Sequence, residues 1–556
     1  MHRKIVIGPP GTGKTTFLKN KVKEFLDLGT PPTEIAYLSF TVKAAEEIRD
    51  RIMGIDTSSG EKVGDNVKKM FPFFCTLHSL CYKQLRLRSD DIMDEDDYES
   101  LSNTTKRTYV NKMKKGNGLD IAMPTPKSEY QDIINLAYAK YPDNEDKITE
   151  ILKYRKVNDE GARDIIRQMH EDLTEYKKEN RKLEYHDYFI NFLKEEKVPK
   201  LKYLLIDEAQ DLSAKQWQVV DKIQRESGAI ETYVAGDDDQ AIFRWAGADI
   251  ENFIDMANQT SGNEIIQLQQ SYRIPLSVHS LATKLAHNIS RRVQKEYLPR
   301  QDAGAVKVLN IRPLGKYLQD GDWLILCRTH AVVQEVVKSL VANGCFFKLY
   351  GKNFIKYEYI KAIKCWTQLC RGEKVIGADV VVLYQHMDST RINRPHGNFK
   401  GEPSDMFNME ILCQHFGLKR FIEFKTQDDS GDKVVIQKDV SEVMWYDMLN
   451  GKAIRKQEAY LRNILESGFK LDQDPKIEVS TMHASKGGER QKVMLISDLS
   501  YGPYNASVQS QEGRDDEARV FYVAATRAKE ELHLIRQTSG QYEYEPLFIA
   551  EREREK

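Results

Sequence analysis

The stretch KIVIGPPGTGKTT, from Lys4 to Thr16, joins a short apolar strand to a glycine-rich loop that leads into a helix. In a GxxxxGKT loop the glycines let backbone N–H groups curl around phosphate oxygens, while the lysine adds a point charge and the threonine can ligate Mg²⁺. Amphipathic spacing from Thr16 to Leu28 predicts a helix whose N-terminus points at the phosphates. The pattern predicts a nucleotide-binding loop that comprises Gly8, Pro9, Pro10, Gly11, Thr12, Gly13, Lys14, Thr15 and Thr16.

Two adjacent carboxylates follow another apolar strand in LLIDEAQD, from Leu204 to Asp211. Asp207 is placed to hold Mg²⁺, directly or through water, and Glu208 to orient the attacking water of a phosphoryl transfer. A solvated acidic turn is the alternative interpretation, but such a pair rarely follows a purely apolar strand downstream of a phosphate-binding loop. The sequence therefore predicts an Mg²⁺ site built on Thr15 and Asp207.

Phosphoryl transfer also needs positive charge opposite the γ-phosphate, which an arginine finger supplies in many nucleotide hydrolases. Arg273, in QQSYRIP, and Arg527, in YVAATRAKEE, are the candidates. An arginine taken alone is more often a partner in a surface salt bridge. The assignment of both residues therefore depends on the motifs around them.

Composition limits the class of protein. With 556 residues, of which 40% are apolar, the chain exceeds what one core usually organises, and two to four domains are expected. The 83 Lys and Arg residues balance 84 Asp and Glu residues, so the chain has no bulk attraction to a polyanion. Any contact with nucleic acid must come from a local channel.

Cysteine usage and hydropathy bear on the compartment. The seven cysteines are scattered and show no CxxC spacing, which predicts reduced thiols in a cytosolic setting, and neither zinc nor an iron–sulfur cluster. No apolar run approaches about 18 residues, and the N-terminus lacks a signal-peptide pattern. We therefore expect a cytoplasmic protein without a membrane partner.

Short apolar runs alternate with helical patterns along most of the chain, which is typical of parallel strands buried on both faces. One set of runs precedes Pro275, and a second set extends from Asp322 to Ile535. The pattern predicts an α/β fold with two parallel-sheet domains and with the motifs at strand ends. Residues 86–184 predict a mostly helical insertion, and residues 372–475 predict a mixed one with a hairpin of FIEFKT and KVVIQK.

The order of the motifs resembles that of the superfamily 1A helicases of the UvrD/Rep/PcrA type, over nearly the whole chain apart from the two insertions. The matching segments are GPPGTGKT (Gly8 to Thr15), SFTVKAAEEIRDR (Ser39 to Arg51), FCTLHSLC (Phe74 to Cys81), DEAQD (Asp207 to Asp211), GDDDQAIFRWAGAD (Gly236 to Asp249), QQSYRIP (Gln269 to Pro275), STMHASKGGE (Ser480 to Glu489) and EARVFYVAATRAKEE (Glu517 to Glu531).

The resemblance implies two RecA-like P-loop domains in tandem, each with an inserted subdomain. The implied boundaries are 1–85 and 185–275 for domain 1A, 86–184 for helical subdomain 1B, 276–371 and 476–548 for domain 2A, 372–475 for a reduced subdomain 2B, and 549–556 for a polar tail.

The resemblance also implies ATP and Mg²⁺ as cofactors and assigns roles around them. Gln240 would sense the γ-phosphate, and Arg273 and Arg527 would contact it from the second domain's side. Tyr272 would stack on the adenine and Glu489 would touch the ribose. The upstream glutamine motif that recognises adenine in relatives is not found, so preference for ATP over other nucleotides stays open. The implied catalytic set is Lys14, Asp207, Glu208, Gln240, Arg273 and Arg527.

On the nucleic-acid side, the resemblance implies base-stacking platforms at Phe40 and Trp245, with Tyr188 and Phe243 as further candidates. Trp245 also has physical support, because a tryptophan beside Gly and Ala in a loop is not an ordinary strand core residue, whereas base stacking tolerates any sequence. Phe40 ends a buried strand, so core packing is its alternative. Backbone or coupling contacts are implied for Thr41, His78, Arg328, Thr329, Thr481 and His483.

The implied activity is ATP-driven 3′ to 5′ travel on single-stranded DNA, with strand separation at junctions with duplex. Because Gln240 and Trp245 share one loop, a change at the γ-phosphate can reach the DNA through about five residues. Alternatives are a translocase that strips proteins from single strands, a helicase arm of a nuclease complex, and a nucleic-acid scaffold without turnover. RNA stays open as a substrate. We expect a replication or recombination protein as partner, and a location at the nucleoid or a viral replication site.

Two of the motif positions depart from the family pattern. Ala246 stands where an arginine often follows the tryptophan, and Arg490 stands where an apolar residue is usual. Either change could retune the grip on DNA or its coupling to ATP. TRINRPHGNFKG, from Thr390 to Gly401, mixes basic groups with Phe399 and is open to two interpretations, a duplex contact or a solvated loop.

Overall fold

Strands and helices alternate along the chain in the computed structural model, which describes residues 2–54, 65–110, 129–258, 262–310, 317–318, 321–388, 390–392, 402–427, 433–449, 457–468, 470–471, 473–536 and 542–554. The chain divides into two compact units. The first unit comprises Met1–Val306, Tyr501–Glu531 and Glu545–Lys556, and the second comprises Lys307–Ser500 and Leu532–Tyr544.

Six strands form the main sheet of the first unit: β1 (Arg3–Ile7), β2 (Ile35–Leu38), β3 (Phe74–Cys75), β4 (Tyr203–Ile206), β5 (Glu231–Gly236) and β6 (Asn263–Gln267). They run parallel in the order β3-β2-β4-β5-β1-β6. All four residues of β4 are buried, as expected for a strand that is covered on both faces. Because the strands are parallel, their carboxyl ends lie along one edge of the sheet.

Helices of the first unit connect these strands and cover the sheet. Those in its N-terminal segment are α1 (Lys14–Asp27), α2 (Val42–Ile52), α3 (Asp65–Met70), α4 (Leu77–Gln84), α5 (Glu95–Thr105), α6 (Glu129–Lys140), α7 (Lys147–Tyr154), α8 (Glu160–Asn180), α9 (Tyr185–Lys194), α10 (Ala214–Glu226), α11 (Ile250–Asn258) and α12 (Leu276–His287). A parallel pair, β7 (Gln270–Pro275) and β8 (Leu298–Arg300), flanks α12.

The helices α5 to α8 bury a small core of their own, as expected for the charged segment 86–184. Ala137 on α6, Ile151 on α7 and Ile166 on α8 are its most buried members. On α8 the buried residues Ile166, Met169 and Leu173 recur at helical spacing, so one face of this helix packs into the core. The prediction of helical structure for this segment is confirmed over its described residues.

The second unit is built on a seven-stranded sheet of β9 (Ala305–Leu309), β10 (Trp323–Cys327), β11 (Phe347–Leu349), β12 (Lys352–Asn353), β17 (Ile477–Thr481), β18 (Arg490–Ile496) and β20 (Ala528–Ile535), in the order β12-β11-β17-β10-β18-β20-β9. β10 lies at its centre, parallel to both β17 and β18. The unit boundaries fall inside β9 and β20. β11 and β12 form an antiparallel pair at one edge. The parallel sheet of the first unit and the parallel centre of this second sheet confirm the predicted α/β class.

The remaining elements of the second unit include the predicted hairpin. Its strands are β15 (Phe421–Gln427) and β16 (Lys433–Asp439), antiparallel as expected, with a turn that falls outside the described residues. The others are α13 (His330–Ala342), α14 (Tyr357–Cys370), β13 (Val375–Ile376), α15 (Gly377–His386), β14 (Met406–Phe407), α16 (Met409–Phe416), α17 (Trp445–Met448), α18 (Glu458–Glu466), β19 (Asp498–Leu499) and β21 (Tyr542–Glu543).

Three C-terminal helices complete the first unit: α19 (Tyr501–Gln509), α20 (Gln511–Ala525) and α21 (Pro546–Arg554). α12 packs against α20 and α21, so residues 276–306 and 501–531 belong to the first unit, whereas the sequence assigns them to domain 2A. The domain boundary at 275 stays a prediction. The polar tail expected at 549–556 begins as the last part of α21.

Among the described residues, none of the helices has both the length and the apolar character needed to cross a bilayer.

Candidate functional site

The phosphate-binding loop closes on itself between β1 and α1. Lys14 Nζ donates to the Gly8 carbonyl at 2.5 Å, and Thr12 Oγ1 donates to the Pro9 carbonyl at 2.8 Å. A Cβ built on Gly8 would lie 2.4 Å from Lys14 Cγ, so glycine is required where the lysine crosses the loop. The residue before α1 is Gly13, which has no side chain to cap the helix. The first N–H groups of α1 can therefore bind phosphate oxygens.

Thr15 and Asp207 meet at the edge of the sheet where β4 ends. The Thr15 hydroxyl donates to Asp207 Oδ2 at 2.9 Å, and the Tyr37 hydroxyl donates to the same oxygen at 2.6 Å. Burial and the nearby charge of Glu208 raise the pKa of the Asp207 carboxyl. A buried carboxylate beside a hydroxyl is the all-oxygen donor set that Mg²⁺ prefers, and a divalent cation would stabilise the ionised form. The two residues predicted to hold Mg²⁺ thus fit that ion.

Glu208 has an unusual backbone conformation. Its φ of 55° and ψ of 40° lie in the left-handed region, which residues other than glycine seldom adopt. The side chain accepts a hydrogen bond from Gln210 Nε2 at 2.6 Å, and Gln210 Oε1 accepts from the Asp237 N–H at 3.0 Å. Such a conformation costs about 1–3 kcal/mol and persists where surrounding contacts over-determine it, often at functional sites. The geometry supports a functional role for Glu208.

Gln240 and Arg527 are in contact although they are 287 positions apart in the chain. Arg527 Nη2 donates to Gln240 Oε1 at 3.2 Å, and Arg527 Nε donates to the Val523 carbonyl at 2.9 Å. Gln240 Nε2 donates in turn to Asp237 Oδ2 at 2.7 Å. Because Arg527 is 1% exposed, it is not a surface salt-bridge arginine. Both residues belong to the first unit. Arg527 therefore reaches the turn that follows β5, although the two segments are far apart in the chain.

The strand β7 packs directly on the phosphate-binding loop. The Tyr272 N–H donates to the Gly11 carbonyl at 2.9 Å, and the Ser271 hydroxyl donates to the Pro10 carbonyl at 2.9 Å. Gly11 has a φ of 75°, and a Cβ there would lie 2.4 Å from Arg273 Cβ. Arg273 therefore starts beside the loop, as its predicted role requires. The Tyr272 ring is 73% exposed, which leaves it accessible for stacking on a base.

The aromatic side chains of the predicted DNA path differ in exposure. Phe40 and Phe243 stack on each other with ring centroids 5.3 Å apart, and Trp245 meets Phe243 edge-on at 6.3 Å. Phe243 is buried, whereas Phe40 and Trp245 are half-buried. Phe243 therefore packs against the rings of Phe40 and Trp245, and its burial is at odds with direct contact with a base. Thr41 caps α2, since its hydroxyl oxygen accepts from the Ala44 N–H at 3.2 Å.

Tyr188 and His78 lie in the packing between α9 and α4. Tyr188 is 3% exposed and contacts His78 and Tyr82. The His78 ring lies 4.3 Å from the rings of both Tyr185 and Phe189, and burial lowers the pKa of His78 to about 3. Tyr188 is thus a core residue in this structure, which is at odds with a base-stacking role, because core side chains cover its ring.

The second unit brings four of the predicted residues to the ends of neighbouring strands. Arg328 and Thr329 follow β10, while Thr481 ends β17 and His483 follows it. β10 and β17 are adjacent and parallel, so these residues share one edge of the sheet. Burial and the charge of Arg328 hold the pKa of His483 well below its usual value. Glu489 lies immediately before β18 in the same unit.

Residues 2–261 match the family model described as the UvrD/REP helicase N-terminal domain. This match, together with relatives that cover 95% of the chain, supports a helicase of the UvrD/Rep/PcrA type. The "ATP-dependent DNA helicase PcrA" of Bacillus subtilis (strain 168) is 22% identical over 612 residues, which cover 95% of this chain and 80% of the relative. The "Probable DNA helicase II homolog" of Mycoplasma capricolum is 24% identical, over 95% of this chain and 81% of the relative. PcrA of Staphylococcus aureus (strain Mu50) is 21% identical, over 96% and 81%.

Within this UvrD-type helicase, sequence reasoning missed the cations that surround the aspartate triplet, Asp237–Asp239. Lys295 Nζ lies 3.0 Å from Asp237 Oδ1, Arg292 Nε donates to Asp239 Oδ1 at 2.8 Å, and Arg519 Nε donates to the Asp238 carbonyl at 3.1 Å. Since these partners are 53 to 281 positions away from the triplet, no local pattern connects them. The available signal was three consecutive carboxylates after a buried strand, which need partners if they are buried.

Proposed function

We propose that this UvrD-type helicase uses ATP to move along single-stranded DNA in the 3′ to 5′ direction and separates duplex at single-strand junctions. The contact between Arg527 and Gln240 carries the proposal. It joins an arginine from near the end of the chain to the end of β5, which is adjacent to β4 and its Thr15–Asp207 pair. The names of the Bacillus and Staphylococcus relatives support DNA as the substrate.

ATP hydrolysis would proceed on the loop from Gly8 to Thr16. Thr15 and Asp207 would hold Mg²⁺, which neutralises phosphate charge when bound. Glu208 would accept a proton from water as the water oxygen bonds to the γ-phosphorus. The bond to the β–γ bridging oxygen breaks, which leaves ADP and inorganic phosphate. Lys14, Arg273 and Arg527 would stabilise the charge that develops, and Gln240 would respond to the γ-phosphate.

Two further residues would contact the base and the sugar of the nucleotide. Tyr272 would stack on the adenine, and Glu489 would contact the ribose. The exposed ring of Tyr272 supports its assignment, because stacking needs an accessible face. The domain division of the UvrD type, with insertions at 86–184 and 372–475, belongs to the same proposal.

The single strand would run over Phe40 and Trp245, which the buried Phe243 supports. The loop from Gln240 to Trp245 would transmit the state of the γ-phosphate to the DNA. Thr41, His78, Arg328, Thr329, Thr481 and His483 would contact the DNA backbone or couple it to the nucleotide. A DNA-bound location, at the nucleoid or a viral replication site, and a replication or recombination partner go with this role.

Two assays test the proposal. ATP turnover should rise when single-stranded DNA is added, and strand displacement should occur on duplexes with a 3′ overhang but not with a 5′ overhang. Glu208→Gln serves as the inactive control, because the carboxamide cannot accept the proton. Stimulated turnover with displacement of streptavidin from biotinylated strands, but no duplex separation, would instead identify a protein-stripping translocase. No turnover at all would overturn the proposal.

A further inference from the structure

A buried lysine, Lys295, lies among the three carboxylates of the aspartate triplet. Its Nζ is 3.0 Å from Asp237 Oδ1 and 2.9 Å from Asp239 Oδ2, and it also contacts Asp238 Oδ1. The lysine side chain is 2% exposed, and the three aspartates are completely buried. A buried carboxylate costs several kcal/mol unless it is paired, and neighbouring carboxylates repel one another. Lys295, together with Arg292 on Asp239, therefore supplies positive charge that offsets the buried carboxylates of the triplet.

The two oxygens of Asp237 have different partners. Oδ1 faces Lys295 and accepts from the Asp239 N–H at 3.3 Å, while Oδ2 accepts from Gln240 Nε2 at 2.7 Å. On its other side, Gln240 Oε1 accepts from Arg527 at 3.2 Å. A carboxylate can only accept hydrogen bonds and a guanidinium can only donate them. Asp237 and Arg527 together therefore decide which end of the Gln240 amide faces which neighbour.

A backbone contact ties the same turn to the helix that precedes Arg527. Arg519, on α20, donates to the Asp238 carbonyl at 3.1 Å and to the Arg291 carbonyl at 2.9 Å. α20 ends at Ala525, two residues before Arg527. The turn that carries Gln240 is thus fastened by its side chains to Lys295 and by its backbone to α20.

We propose that Lys295 is a positioning residue for ATP hydrolysis: its ammonium group fixes the Asp237 carboxylate, which orients the Gln240 amide toward Arg527. The proposal rests on the proposed function. Lys295 meets the catalytic group through Asp237, so its loss should affect turnover more than nucleotide binding. Arg292 has a separate task, since its contacts are with Asp239.

The first test compares two substitutions at one position. Lys295→Met keeps the length of the side chain but removes its charge, and we expect kcat for DNA-stimulated ATP hydrolysis to fall about 10- to 100-fold with KM for ATP within about twofold. Lys295→Arg keeps a cation and should recover kcat to within about fivefold of the unmodified protein. Lys222→Met is the matched control, because Lys222 is also buried and donates to a carboxylate, that of Glu226 at 2.8 Å.

A second variant tests whether Lys295→Met lowers kcat only because it destabilises the folded protein. Lys295→Met leaves unpaired buried charge, so it is also made together with Asp238→Asn, which removes one negative charge along with the positive one. A melting temperature close to that of the unmodified protein, with kcat still lowered at least about tenfold, would support the positioning role. Recovery of kcat to within twofold in this balanced variant would overturn it.

A double-mutant cycle with Gln240→Ala separates positioning from a general structural effect. If Lys295 acts through Gln240, Lys295→Met should cost less than about threefold in kcat once Gln240 is absent. Additive losses would contradict the proposal. An unmodified protein without DNA-stimulated turnover would show that the proposed function itself is wrong, whereas normal turnover in Lys295→Met would refute only the role of the lysine.

Discussion

The two main sheets of this chain are both built around parallel strands, but they differ in the chemistry at their strand ends. In the first unit, carboxylates follow adjacent strands, with Asp207 after β4 and Asp237 after β5. In the second unit, Arg328 follows β10 and His483 follows the adjacent β17. A parallel sheet brings any such residues to one edge, so the fold provides the place and the side chains decide the chemistry.

Burial acts in opposite directions at these two edges. In the first unit it raises the pKa of the Asp207 carboxyl, and it raises the pKa of Asp238 to about 6 despite the lysine beside it. In the second unit it lowers the pKa of the His483 imidazole. In both cases the low dielectric disfavours the charged form. Cations therefore stabilise the buried carboxylates at the first edge, as Mg²⁺ would. At the second edge, burial and the charge of Arg328 favour the neutral form of the His483 imidazole.

The largest expected effect comes from removing the lysine of the phosphate-binding loop, at the first edge. Lys14→Ala should lower kcat for ATP hydrolysis by at least about 10³-fold, because the proposed role of the lysine charge is to stabilise the outer phosphates. The measurement is steady-state phosphate release with saturating single-stranded DNA. The control is Lys338→Ala, an exposed lysine on α13 of the second unit, which should leave turnover unchanged. Equal losses of kcat in the two variants would contradict the assignment of ATP hydrolysis to the first edge.

A smaller effect is expected when the late arginine keeps its charge but loses its planar shape. Arg527→Lys should lower kcat about 10²-fold, since a lysine cannot reproduce the fork that donates to both Gln240 and the backbone of α20. Fluorescent-nucleotide binding measured in parallel should change little. If turnover were normal, Arg527 would be a structural arginine of the first unit and not the predicted finger.

The stacking platform allows a sharper test of the DNA side. Trp245→Ala should raise the concentration of single-stranded DNA needed for half-maximal stimulation about 5- to 150-fold, which corresponds to the loss of about 1–3 kcal/mol of base stacking. Tyr188→Leu is the matched variant, because it removes the ring on which a base could stack but keeps an apolar side chain at this core position. It should leave the DNA concentration unchanged, and a shift as large as that of Trp245→Ala would restore Tyr188 to the DNA path.

The smallest effect concerns stability and pH. The pKa of His78 is about 3 in the folded state, below its ordinary value of 6.5, so the unfolded chain binds the proton first as pH falls. This residue therefore destabilises the fold between pH 6.5 and 3, by up to about 1.4 kcal/mol for each pH unit. His78→Phe should remove that dependence.

Urea unfolding at pH 7.5 and pH 5.5 measures the difference. The stability of His78→Phe relative to the unmodified protein should increase at the lower pH, whereas the exposed His287→Gln should show no such change. Parallel pH profiles for the two variants would mean that the His78 imidazole is solvated in the folded state.

Local pattern was sufficient for the α/β class and for the meeting of Thr15 with Asp207. A buried parallel strand brings its carboxyl end to a known edge, and residues just beyond it must lie there. The same reasoning failed for Tyr188, because EYHDY looks alike whether its ring faces solvent or the histidine of α4. Phe243 is a similar case, since its ring stacks on that of Phe40, which lies far earlier in the chain, just after β2.

The sequence by itself determined the class of fold, the phosphate-binding loop and the carboxylates that follow β4, since each depends on residues that are neighbours in the chain. The tertiary structure alone decided that Arg527 reaches Gln240 and that Lys295 neutralises the aspartate triplet. Such partners are distant in the chain, and buried charges accept whichever opposite charge the packing brings within a few ångströms. The spacing of residues in the sequence therefore does not predict which cation pairs with which carboxylate.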